Sequence, residues 1–255
     1  MAAELEVAIK AATEAGGILA RKYGRSKVRY KADRSVVTSA DLESERRIRS
    51  VLKASFPEDS YLGEEAGLKA GSSGRTWVID PLDGSTNYSI RNPFFSVSIA
   101  LIASGETLLG VVYYPCQDEL FYAEKGSGAR LGGKRLRVSS SASIGNSTIT
   151  FCHGNDPASV RAISKAYGKL KGVTSRVRQL GAASLELCFT ACGRVDAFFM
   201  VGVKSWDGAA GTLLVDEAGG KVTDLSGKRF LQSSTTLLAS NGRIHGRLLG
   251  LLSAR

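Results

Sequence analysis

In AAELEVAIKAATEAGGILARKYG the apolar residues Leu5, Ala8, Ile9, Ala12, Ala15 and Leu19 recur at helical spacing, which predicts an amphipathic helix ending near Gly24. A second helix is predicted from Thr38. There Thr38-Ser39-Ala40-Asp41 precedes LESERRIRSVLKASF, with Leu42, Ile48, Val51, Leu52 and Phe56 as apolar positions and Pro57 as its end. From about residue 76 to 124 the texture changes to short apolar runs, TWVID, FFSVSIALI, LLGVVYY and ELFYAE, divided by Asn-Pro, Ser-Gly-Glu and Tyr-Pro-Cys. This predicts a mainly antiparallel sheet, with one short helix or turn after Asp83. EKGSGARLGGKRLRVS continues it as a hairpin-like segment, and SSSASIGNST is a loop able to divide two halves. Beyond it the pattern alternates: STITFCH strand, ASVRAISKAYGKL helix, SRVRQL strand, AASLELCFTACG helix, VDAFFM strand, a last helix, and a closing strand near STTLLAS. There is no internal repeat and no low-complexity tract.

A chain of 255 residues with 43% hydrophobic and 23% charged residues can bury a sizeable core, as one large domain or two intimately packed subdomains. No run approaches the ~18 apolar residues of a membrane span. MAAELEVAIK carries acids where a signal peptide carries basic residues, so the expected compartment is the cytoplasm. Cys116, Cys152, Cys188 and Cys192 form no CxxC pair and read as small core residues, with Cys188 and Cys192 on one helical face. The 34 basic and 24 acidic residues give a formal charge of +10. The basic residues are scattered and lack aromatic interleaving, which makes nucleic-acid binding a weak reading; the same field would draw in a small polyanion.

The stretch WVIDPLDGSTNY carries the candidate chemistry. A strand ending at Asp80, a turn at Pro81 and a helical start at Asp83 would aim two carboxylates at one point. Oxygen-only ligands of this kind select a hard cation such as Mg²⁺, and Gly84, Ser85 and Thr86 offer backbone N–H groups to a phosphate. The plainer alternative is an Asp-Gly turn with Asp80 as a cap. Tyr61-Leu62-Gly63-Glu64-Glu65 brings a further acid pair, which alone reads as a solvated loop. Asp207 opens a small-residue helix, Lys204 to Gly220, whose Ala209-Ala210-Gly211 surface allows close approach to another element. Alone it reads as a helix cap. His153 and His245 lie outside these stretches and read as ordinary polar residues.

Taken together, VVTSAD, YLGEE, WVIDPLDGSTN, AEKGSGARLGGKRLRVS, GAASLEL and WDGAAGTLLVDEAGG resemble the inositol monophosphatase family, within the Mg²⁺-dependent, lithium-sensitive sugar-phosphatase superfamily, over nearly the whole chain. The resemblance implies an α+β fold, a layered αβαβα sandwich, as one phosphatase domain over 1–255 with an α+β half, 1–140, and an α/β half, 141–255. It implies two or three Mg²⁺ ions held by Glu64, Asp80, the Leu82 carbonyl, Asp83 and Asp207, with Asp41 in support. It also implies phosphate on the Gly84 and Ser85 amides, catalysis by Glu64, Ser85 and Asp83, and substrate contacts at Asp83, Ala183, Met200 and Lys204. A homodimer is implied in the same way. Two departures bear on substrate. Ser85 stands where Thr is common, and Met200 stands where inositol-hydrolysing members usually have a glutamate for ring hydroxyls. DPLDGSTN looks like the fructose-bisphosphatase form, and the AEKGSGARLGGKRLRVS block resembles archaeal members acting on both inositol monophosphate and fructose 1,6-bisphosphate. The expected activity is hydrolysis of small polyol or sugar phosphates. The alternative is a catalytically idle regulatory or nucleic-acid-binding relative, in which one or more of the acids should have been lost.

Overall fold

The structure is a computed structural model that describes residues 2–31 and 35–253. Among them, α1 (Ala2–Lys22) is followed by a two-stranded ribbon, β1 (Val28–Tyr30) with β2 (Val36–Thr38), and by α2 (Ser39–Ser55). The chain then builds an eight-stranded sheet from β3 (Ser60–Gly63), β4 (Gly67–Lys69), β5 (Arg75–Asp83), β6 (Ser96–Ala103), β7 (Glu106–Tyr114), β8 (Glu119–Glu124), β9 (Gly128–Leu131) and β10 (Lys134–Arg135). The short α3 (Ser85–Ser89) interrupts it between β5 and β6. The order is β10-β9-β8-β7-β6-β5-β3-β4, antiparallel throughout except where β3 runs parallel to β5.

The second half forms a five-stranded sheet, β12-β11-β13-β15-β14, from β11 (Ile149–His153), β12 (Val177–Arg178), β13 (Ala197–Val201), β14 (Lys221–Thr223) and β15 (Thr236–Ser240). Its helices are α4 (Pro157–Lys171), α5 (Ala183–Ala191), α6 (Ser205–Glu217) and α7 (His245–Ser253). α1 and α2 cover one face of the large sheet, α5 and α6 fill the space between the sheets, and α4 and α7 cover the outer face of the small one. The result is the αβαβα sandwich expected from the resemblance. No helix among the described residues is long and apolar enough to cross a membrane.

Packing explains the texture of the sequence. Trp77, Ile79 and Ile99 face α1 and α2, while Val78 and Ala100, from the opposite face of the same strands, pack with Leu185 and Leu214 in the central layer. A strand buried on both faces reads as a continuous apolar run instead of an alternation. Ala209, Ala210 and Gly211 are buried, and a Cβ on Gly211 would lie 2.6 Å from the Leu187 side chain, so α6 meets α5 at backbone distance. Cys152 and Cys188 are buried and Cys192 half-buried, as core residues should be; Cys116 is exposed, against the expectation.

The turn expected at Pro81 is also corrected. β5 continues to Asp83, and its register against β6 shifts, with Asp80 opposite Ser98 and Asp83 opposite Ser96. In a regular strand, residues three apart face opposite sides. A bulge adds one residue to one strand, and here it returns Asp83 to the side of Asp80. Pro81 has no N–H to give to a ladder and is tolerated at a bulge.

α7 was not anticipated, and His245 at its start ties it to the small sheet. The ring is 1% exposed, with Nε2 2.9 Å from Thr223 Oγ1 and Nδ1 2.8 Å from Ser240 Oγ. Burial, aided by the Lys221 charge, pushes its pKa down to about 4. The unfolded chain takes up this proton near pH 6.5 and the folded one does not, so the contribution is complete above 6.5 and is lost as pH falls toward 4. It amounts to about 2 kcal/mol once solvent screening is allowed for. The melting-temperature gap between wild type and His245→Gln should therefore narrow from pH 7 to pH 4. A gap independent of pH would contradict this account of His245.

Candidate active site

The bulge in β5 delivers Asp80 and Asp83 to a cleft of about 210 Å³ that Glu64, Leu82, Gly84, Ser85 and Asp207 also line. The four acids arrive on three supports. Glu64 follows β3, and its amide donates to the Ile79 carbonyl (3.2 Å), which extends the parallel pairing by one step. Asp207 sits in the first turn of α6, where its carboxylate accepts from the Lys204 amide (2.7 Å). Asp83 faces the start of α5 and accepts from the amides of Ala183 (3.0 Å) and Ser184 (2.7 Å) and from the Ser184 hydroxyl. A helix N-terminus favours an anion there. Asp80, only 3% exposed, accepts from the Leu82 amide (3.1 Å).

Behind them Asp41 is fully buried and completes a capping box with Thr38. The Ser85 hydroxyl donates to it at 2.9 Å and lies at the same distance from the Leu82 carbonyl. Gly84 holds φ +91°, and a Cβ there would meet the Phe94 carbonyl at 3.0 Å and Ala182 Cβ at 3.1 Å, so the turn admits only glycine without strain. The first amides of α3, which have no acceptor within the helix, open beside it.

The electrostatics are those of crowded anions. Burial raises Asp80 well above the usual carboxylate range, and Glu64, Asp83 and Asp207 push it further. Burial, with Asp83 and Glu64 adding to it, carries Asp207 to about 8 against the pull of the Lys204 amide. Glu64 reaches about 7, its burial outweighing the Lys31 ammonium 3.0 Å away. Burial also raises Asp83 and Asp41, against hydrogen bonds from Ser184 and Thr38 respectively. Lys31 is driven upward, since Glu65 and Glu64 overcome the effect of its own burial.

Among the described residues no three carboxylate, imidazole or thiolate groups converge on one point as they stand; each cleft acid is turned to a protein donor. The donor set, four carboxylates whose proton affinities burial raises and a carbonyl, nonetheless fits a hard divalent cation. Of the residues implied by the resemblance, Glu64, Asp80, Leu82, Asp83, Gly84, Ser85 and Asp207 share the cleft, and Asp41 stands behind it. Ala183, Met200 and Lys204 are not part of its lining. Ala183 is buried and gives its amide to Asp83, Met200 is 6% exposed within the central apolar cluster, and Lys204 is exposed at the start of α6.

Sequence reasoning missed Lys31 and Ser184, which bond to Glu64 and Asp83, and Asn155, which lines the cleft. Lys31 follows a three-residue exposed strand, Asn155 lies in a His-Gly-Asn-Asp stretch that reads as a turn, and Ser184 was within reach as the hydroxyl of GAASLEL. A larger hollow of about 490 Å³, between β11, α4 and β12, has no carboxylate in its lining and lacks this chemistry.

The model of the inositol monophosphatase family matches residues 1–255. The chain belongs to the inositol monophosphatase family. A relative named Nus factor SuhB, from Pasteurella multocida, is 39% identical over 252 residues, 96% of this chain and 94% of that protein. A relative named fructose-1,6-bisphosphatase/inositol-1-monophosphatase, from Thermotoga maritima, is 37% identical over 251 residues, 98% and 95% of the two chains. The crystal structure of extragenic suppressor protein suhB from Bartonella henselae superposes with a TM-score of 0.94 at 36% identity, covering 98% of each chain. Inositol monophosphatases are generally Mg²⁺-dependent, in keeping with the acids of this cleft.

Proposed function

We propose that this inositol monophosphatase family member is a Mg²⁺-dependent phosphomonoesterase for small polyol or sugar phosphates. The observation that carries the reading is the meeting of Glu64, Asp80, Asp83 and Asp207, from three separate segments, beside the Gly84-Ser85 turn in one cleft. Glu64, Asp80, the Leu82 carbonyl, Asp83 and Asp207 would hold the metal, which supplies Lewis-acid stabilisation of phosphoryl charge and acidifies water when bound. The amides of Gly84 and Ser85 receive the phosphate oxygens at the start of α3. Glu64, at the edge of the cleft on the loop after β3, would take the proton of the attacking water. The Ser85 hydroxyl, held toward Asp41 and the Leu82 carbonyl, orients the attacking water.

The experiment is phosphate release with Mg²⁺ over inositol 1-phosphate, fructose 1,6-bisphosphate, glycerol phosphates and adenosine 3′,5′-bisphosphate. Release from the first two, and little from the last, is the expected pattern. A second reading, a regulatory protein on this fold, is favoured by the name Nus factor SuhB borne by a 39% identical relative and by the formal charge of +10. No release from any member of the panel would select it.

A further inference from the structure

We propose that α2 is a positioning template for the metal centre, in which Glu45 sets the placement of Glu64 and Ser44 sets that of the Asp80–Leu82–Asp83 bulge. The inference rests on the metal-dependent reading and adds to it residues outside the cleft.

Asp41, Ser44, Glu45, Ile48 and Leu52 recur at helical spacing, and all are buried, with Glu45 only 2% exposed. Ile48 and Leu52 account for this face as ordinary core. Three polar groups on the same face need another explanation, because a buried polar side chain is costly unless it is fully hydrogen-bonded. Each of the three reaches a different piece of the site. Asp41 accepts from the Ser85 hydroxyl (2.9 Å). The Ser44 hydroxyl donates to the Pro81 carbonyl (2.8 Å), inside the bulge, where the sheet ladder is disrupted.

Glu45 accepts from the amides of Glu65 (2.8 Å) and Ala66 (3.2 Å), the two residues after Glu64. Arg49, one turn on, binds Glu45 (2.7 Å) and the Gly67 carbonyl (2.6 Å), so the pair grips the Glu64 loop through both its amides and a carbonyl. Glycine at 63 is what admits the grip: a Cβ there would lie 2.1 Å from Glu45 Oε1. One rigid helix thus holds the segment bearing Glu64 and the segment bearing Asp80, Leu82 and Asp83. The β3–β5 ladder ties the two segments edge to edge as far as the Glu64 amide and the Ile79 carbonyl; Ser44 and Glu45 hold what lies beyond it, the Pro81 bulge and the loop after Glu64.

The test measures Mg²⁺ binding, without substrate, by titration calorimetry on chelator-stripped wild type, Glu45→Gln and Ser44→Ala, with melting temperatures taken in chelator and in saturating Mg²⁺. Glutamine keeps the size of Glu45 but loses its charge and one of its two acceptor oxygens. Glu45→Gln should weaken Mg²⁺ binding by about 10- to 100-fold, the range seen when partners of metal ligands are removed. Its Mg²⁺-induced rise in melting temperature should shrink as well. Ser44→Ala should weaken binding several-fold, and it decides the matter if Glu45→Gln does not fold. A merely structural role would lower the melting temperature in chelator and leave Mg²⁺ affinity unchanged. Wild-type affinity in both variants would overturn the proposal, whereas a wild type that binds no Mg²⁺ would overturn the metal reading beneath it.

Discussion

Asp80→Asn is expected to raise the thermal stability of the metal-free protein and to lower Mg²⁺-dependent turnover by on the order of a thousandfold. Asp80 is 3% exposed, and its nearest charges are Glu64, Asp83 and Asp207. Without metal, an isosteric neutral amide relieves that repulsion; with metal, it removes one anionic ligand. The sign of the pH dependence follows from the raised pKa values. An acid whose folded pKa lies above its unfolded value costs nothing below about 4, and costs progressively more as pH rises toward the folded value. For this cleft the window extends through about 7 for Glu64 and about 8 for Asp207. The gain from asparagine should therefore be absent near pH 4 and largest at pH 8. For a chain of this size 1 kcal/mol corresponds to roughly 2–4 °C in melting temperature. Melts of both proteins in chelator from pH 4 to 8, with phosphate release in Mg²⁺, check both halves. A variant less stable at pH 8, or one with normal turnover, would contradict the electrostatic account.

Gly84→Ala should be nearly as damaging, for a steric reason. At φ +91° an L-residue is strained, and the added Cβ would press on the Phe94 carbonyl at 3.0 Å and on Ala182 at 3.1 Å. We expect a loss of about 1–3 kcal/mol in stability and roughly a hundredfold or more in turnover, as the Gly84-Ser85 amides are displaced. Gly74→Ala separates the two causes, because Gly74 has φ +76° with nothing within 4 Å of a Cβ. It should show the strain alone, with turnover unchanged. Equal effects of the two substitutions on turnover would remove the close packing behind Gly84 from the explanation.

Much of this architecture was legible because burial leaves a periodic mark. The helices α1 and α2 showed their apolar stripes, and β5 to β7 showed the continuous runs of strands covered on both faces. What escaped was local. Three-residue strands such as β1 and β4 are too short for a period, and β1 is exposed at all three positions. α7 is a brief helix at the end of the chain. Pro81 read as the end of a strand because proline cannot join a ladder, yet a bulge lets the strand pass through it, and that bulge is what aims Asp80 and Asp83 together. Ser44 and Glu45 were hidden by the habit of assigning polar residues to the exposed face of a helix. Their spacing from Asp41 and Ile48 placed them on the buried one, and Arg49 four residues after Glu45 was a further sign. Lys31 reaches Glu64 across 33 positions of sequence, a pairing that only the folded chain reveals.

On this reading the cleft acids act through a bound divalent cation. The most direct measurement is phosphate release from inositol 1-phosphate and fructose 1,6-bisphosphate by the purified protein, first in excess chelator and then with Mg²⁺ restored. No turnover in chelator, and recovery in proportion to Mg²⁺ occupancy of the site, are the expected results. Undiminished turnover in chelator would contradict this reading.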